Sequence, residues 1–265
     1  MKIAITGKGG VGKTTLASTL ARIIAAQSIA GGGTGDVLCC DCDPDANLGL
    51  ALGFSLAEMD ALTPIAQMSA LIAERTGTKG GGYGEFFKIN PTVSDIPDRF
   101  AIEKNGVRLL VMGTVEKGGA GCVCPESVLL KRVVSNLVLS RDEVVILDME
   151  AGLEHLGRGT ASFVDAFIVV TEPGSRSIQT FRAVKKLAQD LGVKRVFAAG
   201  SKIRNEDDTR FLLENIGEAE YLGGISWSDG IIEADKRGIS PYDADESVKN
   251  DVLRIKNKLD ALLGK

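Results

Sequence analysis

Residues 7–15 read GKGGVGKTT and follow directly on a short apolar run, Ile3-Ala4-Ile5. This stretch fits the phosphate-binding pattern G-x-x-x-x-G-K-[ST] in the context that the pattern requires, a strand before the glycines and a helix after them. Glycines let consecutive backbone N–H groups point at one anionic centre, and the helix that follows adds its positive end. A tight turn without a ligand is the alternative, but the coincidence of pattern and context favours a nucleoside triphosphate site.

The polar residues of this loop have distinct expected roles. Lys13 places a charge near the β- and γ-phosphates, and Thr14 offers a hydroxyl to Mg²⁺. The residues expected to contact the nucleotide are Gly9, Gly10, Val11, Gly12, Lys13, Thr14 and Thr15. The predicted strand at residues 195–199 is followed by GSKIR and not by an N-K-x-D guanine-binding motif, so ATP or ADP is the expected nucleotide.

Composition limits the possible classes of function. The chain has 265 residues, 44% of them hydrophobic and 25% charged, as in an ordinary globular protein. Its formal net charge is −4, so no basic surplus indicates a nucleic acid partner. No apolar stretch approaches the roughly 18 residues of a membrane span, and the first strand begins too early for a cleaved signal. We expect a cytoplasmic protein without a membrane partner, whose cysteines are thiols.

Short apolar runs alternate with amphipathic stretches along the chain. The runs are residues 2–6, 37–42, 107–112, 144–148, 166–170, 195–199 and 221–225, and the amphipathic stretches are 14–26, 127–139, 178–191 and 210–216. This alternation predicts an α/β fold: one doubly wound, mainly parallel sheet with helices on both faces, forming a single domain over residues 1–265. Residues 248–262 have helical spacing, and we expect a packed helix there rather than one that lies on a membrane surface.

Two carboxylates follow predicted strands and should meet the phosphates, because ligands bind at the carboxyl ends of parallel strands. Asp43 leaves the second strand beside the glycine loop, where it can orient an attacking water or reach Mg²⁺. Asp148 ends a run of four apolar residues, which is the Walker B arrangement for a carboxylate that holds the metal. Asp45 is expected instead to cap the next helix.

Residues 118–125 read GGAGCVCP and connect the third predicted strand to a helix. The glycines leave the thiols of Cys122 and Cys124 accessible, and the following helix start favours thiolates. One C-x-C supplies two ligands and a closed zinc site takes four, so a two-fold dimer would complete the set. The alternative is a pair of ordinary small residues near a turn.

The other cysteines fit a different interpretation. Cys39, Cys40 and Cys42 lie in a predicted strand, with Cys40 and Cys42 on one face and Cys39 on the other. We expect them to be buried core residues, and a metal site is the minority hypothesis. His155 is the only histidine, which makes a histidine-based zinc site or a Ser-His-Asp triad hard to build.

Together these motifs resemble the MinD/ParA/NifH-like dimeric ATPases, whose Walker A loop is of the deviant type. In that group an additional lysine, here Lys8, reaches across the dimer to the partner's nucleotide. Within the group, the chain is similar to the CooC-type nickel-insertion ATPases that mature carbon monoxide dehydrogenase. The segments that carry this similarity are residues 41–44, 122–125, 148–159, 171–173 and 230–243.

The resemblance implies an ATP- and Mg²⁺-dependent ATPase that forms a homodimer and has a client metalloenzyme, carbon monoxide dehydrogenase. It implies catalytic roles for Lys8, Lys13 and Asp43, and a dimer-bridging Ni²⁺ or Zn²⁺ on Cys122 and Cys124. It also implies a nucleotide contact at Lys202, although Ser201 stands where members of the group commonly have asparagine.

Two other functions of the group stay open. One is a MinD- or ParA-like positioning ATPase that binds a membrane or DNA, and paired thiols would have no use there. The other is a NifH-like ATPase with an iron–sulfur cluster, but such proteins usually use two single cysteines that are distant in the sequence.

Overall fold

The computed structural model describes residues 1–78, 86–114, 124–150 and 158–264. Within these residues the chain forms eight strands and twelve α-helices. The strands are β1 (Lys2–Gly7), β2 (Val37–Asp41), β3 (Ile102–Lys104), β4 (Val107–Val111), β5 (Val144–Asp148), β6 (Ala166–Thr171), β7 (Val196–Ile203) and β8 (Tyr221–Ser226). The helices are α1 (Lys13–Ala30), α2 (Leu48–Ala51), α3 (Leu56–Asp60), α4 (Ser69–Thr76), α5 (Ile96–Phe100), α6 (Pro125–Ser140), α7 (Arg158–Ala161), α8 (Ser175–Asp190), α9 (Glu206–Ile216), α10 (Asp229–Lys236), α11 (Pro241–Ala244) and α12 (Glu246–Leu263).

The strands form one sheet in the order β3-β4-β2-β5-β1-β6-β7-β8. Seven of them run parallel, and only the edge strand β3 is antiparallel to its neighbour. The predicted doubly wound sheet is therefore confirmed, and the seven predicted strands all form. Strand β3 was not predicted. It has only three residues, all half-exposed or exposed, and three residues are too few to show the pattern of a strand.

Helices cover both faces of the sheet and enclose two cores. One core includes the apolar sides of α1 and α12, and the other includes those of α6 and α8. In α12, Val248, Val252, Ile255 and Leu259 are fully buried, which confirms that this helix packs on the domain, whereas Leu262 near its end is 41% exposed. In the described ranges, no helix is both long and apolar enough to cross a bilayer.

The three cysteines of the second predicted strand are buried, as expected. Cys39 belongs to the core on the α1 face, whereas Cys40 and Cys42 belong to the opposite core. The sulfur atoms of Cys40 and Cys42 lie 3.5 Å apart on their common face. Burial raises the pKa of Cys39, and a hydrogen bond to Cys40 together with burial raises that of Cys42, so both favour the neutral thiol.

Strand order determines which side chains meet at the carboxyl edge. β5 lies between β1 and β2, and in this register Asp148 is opposite both Ile5 and Asp41. The first helix starts at the same edge directly after β1, and Met112, which follows β4, donates its N–H to Asp41 O. Residues that are distant in sequence therefore converge beside the glycine loop.

Candidate functional site

The glycine loop between β1 and α1 contains glycines in the left-handed conformation. Gly10 and Gly12 have φ values of 74° and 98°, in the left-handed region that glycine adopts without strain. Gly12 is the N-cap of α1 and supplies no side-chain acceptor to the first helical N–H groups. These donors, with the positive end of the helix, can face phosphate oxygens.

Thr14 and Asp148 meet at the start of α1, although they lie far apart in the sequence. The Thr14 hydroxyl donates a 2.7 Å hydrogen bond to Asp148 Oδ2. Asp148 Oδ1 is buried and has no hydrogen-bond partner within the part of the chain that the structure describes. A hydroxyl beside a partnerless carboxylate oxygen is a donor set that suits Mg²⁺. These two residues would hold the ion, whose charge would neutralise the phosphate oxygens.

Lys13 and Asp43 form the second contact at this point. Lys13 Nζ lies 3.3 Å from Asp43 Oδ2, and both side chains are largely buried. The β1–α1 loop and the end of β2 thus bring together the two residues predicted to act on the γ-phosphate and on water. The geometry is compatible with these roles, which stay predictions.

Asp41 is a site residue that the sequence analysis did not single out. Its Oδ1 accepts the Asp43 N–H at 3.2 Å and its Oδ2 accepts the Leu48 N–H at 2.9 Å, so it fixes the turn that carries Asp43. The prediction that Asp45 caps the following helix was wrong. Asp45 is exposed and donates its N–H to Asp43 Oδ1, while the buried Asp41 side chain bonds the first N–H of α2.

The carboxylates at this edge strongly affect one another. Burial raises the pKa of Asp41 to about 7, and the charge of Asp148 contributes. Burial likewise raises the pKa of Asp148 to about 6, opposed by the hydrogen bond from Thr14 and the charge of Lys13. Both ionised forms are therefore costly in the protein alone, and a bound cation would stabilise them.

Lys8 lies on the outer side of the loop. It is exposed, as are Gly9 and Gly10, and its carbonyl accepts a long 3.4 Å hydrogen bond from the Val11 N–H. Across the described ranges the Lys8 ammonium has no ion-pair partner. It is thus accessible to a second chain, and its role across a dimer stays a prediction.

The side chain of Lys202 also contacts the glycine loop, at a backbone carbonyl. Its Nζ donates a 2.8 Å hydrogen bond to Gly10 O and forms a 2.5 Å ion pair with Glu172 Oε1. The neighbouring Ser201 hydroxyl donates a 2.6 Å hydrogen bond to Val11 O. The contacts of Ser201 with the glycine loop, about 190 residues away, and of Glu172 with Lys202 were not predicted, because no spacing rule relates these residues.

Cys124 lies at the start of α6 and is half-buried. Its sulfur accepts the Ser127 N–H at 3.4 Å, and its thiol donates to Ser127 Oγ at 3.1 Å. Cys122 and His155 lie outside the described residues. In the described parts of the chain, no group of three or more His, Cys, Asp or Glu side chains could hold a metal ion. The metal site on Cys122 and Cys124 therefore stays a prediction.

The chain matches a known family along most of its length. The family described as the "CobQ/CobB/MinD/ParA nucleotide binding domain" matches residues 2–242. The carbon monoxide dehydrogenase accessory protein CooC of Rhodospirillum rubrum is 43% identical over 243 residues, which cover 92% of this chain and 90% of CooC. An ATP-binding protein of Methanocaldococcus jannaschii is 44% identical over 260 residues, covering 97% of this chain and 96% of that protein.

Solved structures of the same fold include a plasmid partition protein of Borrelia burgdorferi bound to AMPPNP. It superimposes with a TM-score of 0.67 over 98% of this chain and 99% of its own, at 15% sequence identity. At this identity the similarity shows the fold alone.

Proposed function

Because this chain belongs to the CobQ/CobB/MinD/ParA family of nucleotide-binding ATPases, we propose that it is an ATP-dependent accessory protein of carbon monoxide dehydrogenase. In this proposal the protein forms a homodimer, binds Ni²⁺ or Zn²⁺ through Cys122 and Cys124, and assists nickel insertion into the enzyme. The observation that carries the proposal is the similarity to CooC, which extends over nearly the whole chain. The cytoplasm is the compartment that fits this role.

In this proposal, ATP hydrolysis at the nucleotide site drives metal delivery. Lys13 binds the β- and γ-phosphates, and Thr14 with Asp148 holds Mg²⁺. Asp43 orients the attacking water, and Asp41 keeps the Asp43 turn in place through its two hydrogen bonds. Lys8 of each chain completes the nucleotide site of the other, so that hydrolysis and the dimer contact are coupled.

The thiols supply the cargo site. Cys124 is the N-cap of α6, and this helix follows β4, so that it starts at the carboxyl edge of the sheet where the nucleotide would bind. Two C-x-C pairs related by a two-fold axis provide four sulfur ligands, a set that suits both Ni²⁺ and Zn²⁺. A change in the dimer contact on hydrolysis would then change the affinity for the metal.

The other functions of this fold have less support. A membrane-positioning role would use an exposed apolar surface, but α12 buries four of its apolar residues against the domain and exposes Leu262 near its end. The net charge of −4 gives no support to DNA binding. An iron–sulfur role would produce a broad brown absorption band in anaerobically purified protein, and a colourless protein would exclude it.

The cargo site is tested by Cys122→Ser combined with Cys124→Ser. Serine is a good N-cap residue, so α6 should keep its start while the soft ligands are lost. After loading with Ni²⁺ or Zn²⁺ and desalting, we expect metal in the wild type and none above background in the double variant, with ADP binding retained. Equal metal content by elemental analysis would refute the proposal.

Cys39→Ala is the matched control for this experiment. It removes a thiol that is fully buried on the α1 face of the sheet. We expect it to lower stability and to leave the metal content at the wild-type value. Loss of metal in this variant would instead assign the ions to the cysteines of β2.

A further inference from the structure

Strand β7 leaves its ladder at the point where it passes the glycine loop. Its pairing with β8 is shifted between Gly200 and Ile203, so Ser201 and Lys202 lie in a bulge. Lys202 has φ 57°, a left-handed conformation that is uncommon for a residue with a Cβ. Bulges redirect side chains next to active sites, and non-glycine residues in this region concentrate at functional positions.

The bulge directs two successive side chains at the same neighbour. In a regular strand, adjacent residues point to opposite faces of the sheet. Here the Ser201 hydroxyl bonds Val11 O at 2.6 Å, and Lys202 Nζ bonds Gly10 O at 2.8 Å. Glu172, which follows β6, holds the same ammonium at 2.5 Å. Two consecutive carbonyl groups of the glycine loop are thus fixed from β6 and β7.

Fixing a carbonyl also fixes the N–H of the same peptide unit. In a trans peptide the C=O and the following N–H point in opposite directions. When the Val11 carbonyl points at Ser201, the Gly12 N–H must point away from Ser201. The Gly10 carbonyl fixes the Val11 N–H in the same way, and in this structure that N–H makes a long 3.4 Å hydrogen bond to Lys8 O. These N–H groups belong to the loop that would surround the phosphates.

Ser201 lies close enough to the glycine loop to restrict which residue can occupy position 12. A Cβ added at Gly12 would lie 3.1 Å from Ser201 Oγ, in addition to the strain of a φ of 98°. Ser201 is 4% exposed, so its hydroxyl acts on the loop from behind rather than from the open edge.

We propose that Ser201 and Lys202 are positioning residues of the nucleotide site: they fasten the carbonyls of Val11 and Gly10 so that the loop N–H groups face the phosphates of a nucleoside di- or triphosphate. The proposal rests on nucleotide binding and is independent of metal delivery. It also gives the Ser201-Lys202 pair a function that does not need contact with the base.

The first test is Ser201→Ala, followed by titration with a fluorescent ADP analogue in the presence of Mg²⁺. We expect the dissociation constant to rise about five-fold, the effect of one ordinary hydrogen bond. For ATP, KM should rise with kcat nearly unchanged, because Lys13 and Asp43 are untouched. An unchanged dissociation constant, or a loss in kcat alone, would overturn the proposal.

Thr76→Val is the matched control, because Thr76, the last residue of α4, is also buried and donates a 2.6 Å hydrogen bond to a backbone carbonyl, that of Ile72. This variant should lose stability as Ser201→Ala does and bind ADP like the wild type. A similar loss of ADP affinity in both variants would mean that general destabilisation, and not the loop contact, weakens binding.

Lys202→Asn keeps the proposal testable if Ser201→Ala fails to fold. Asparagine tolerates the left-handed conformation better than lysine, which offsets part of the stability lost with the contacts to Gly10 O and Glu172, so the variant should fold. Loss of the ammonium should nevertheless raise the dissociation constant for ADP several-fold. Lys202→Arg should restore part of the ADP affinity. Full ADP affinity in Lys202→Asn would contradict the role of the ammonium. The titration uses neither nickel nor a client enzyme, so failure of the metal hypothesis would leave its result unaffected.

Discussion

Asp148→Asn should stabilise the nucleotide-free protein while it impairs Mg²⁺-dependent binding. The carboxylate is fully buried, accepts one hydrogen bond from Thr14 and is adjacent to other acidic groups. Asparagine has nearly the same shape and retains an acceptor for the Thr14 hydroxyl, but it cannot ionise. The substitution therefore removes the cost of a buried charge and leaves the packing in place.

The expected size and sign of the change in stability follow from the pKa of Asp148. Burial raises it from 3.8 to about 6, so between these values the folded protein binds more protons than the unfolded chain. Stability from this group is thus present at low pH and falls as pH rises through that window. The difference corresponds to about 3 kcal/mol, or roughly 6–12 °C in melting temperature for a chain of this size. The raised pKa of Asp41 also lowers stability as pH rises, both in the wild type and in Asp148→Asn.

The assay is urea denaturation in EDTA without nucleotide, at about pH 5 and about pH 8. We expect the advantage of Asp148→Asn to be largest at the higher pH and to shrink at the lower one. The control is Asp60→Asn, which removes an exposed carboxyl group that burial does not penalise. A variant that is less stable than wild type at high pH, or a difference independent of pH, would refute the reasoning.

Three further predictions concern catalysis, association and packing. Asp43→Asn should lower ATP turnover by about 10²-fold or more without loss of ADP binding, measured by phosphate release and by titration. ATP should raise the sedimentation coefficient of the wild type if the proposed dimer forms, and Lys8→Ala should abolish that increase; an equal increase in the variant would contradict the role of Lys8. Ile255→Ala should lower the free energy of unfolding by about 2–5 kcal/mol in urea, because α12 packs through this residue.

Much of the fold could be predicted because the strands of a covered parallel sheet are continuous apolar runs. β5 matches the predicted bounds, Val144–Asp148, and ends in the carboxylate that contacts Thr14. The opposite faces of Cys39 and Cys40 in β2, and the position of Cys42 on the Cys40 face directly after the strand, follow from the two-residue repeat of a strand. In each case a local pattern and the global fold agree.

Other parts of the site depend on tertiary contacts that no local pattern encodes. The bonds from Ser201 and Lys202 to the glycine loop join segments about 190 residues apart and require a bulge that the sequence does not indicate. Asp45 has the residue type of a helix cap, but the side chain of Asp41 reaches the first turn of α2 from within the sheet. Short helices such as α2 are formed by packing more than by propensity.

The most direct test of metal delivery is a titration with Ni²⁺ or Zn²⁺ in which molecular mass is followed by light scattering, once with ADP and once with ATP. The account predicts one ion bound per two chains, a doubling of mass, and an affinity that differs between the two nucleotides. A monomer that binds metal equally well with either nucleotide, or a Cys122→Ser, Cys124→Ser protein that gives the same curve, would contradict it.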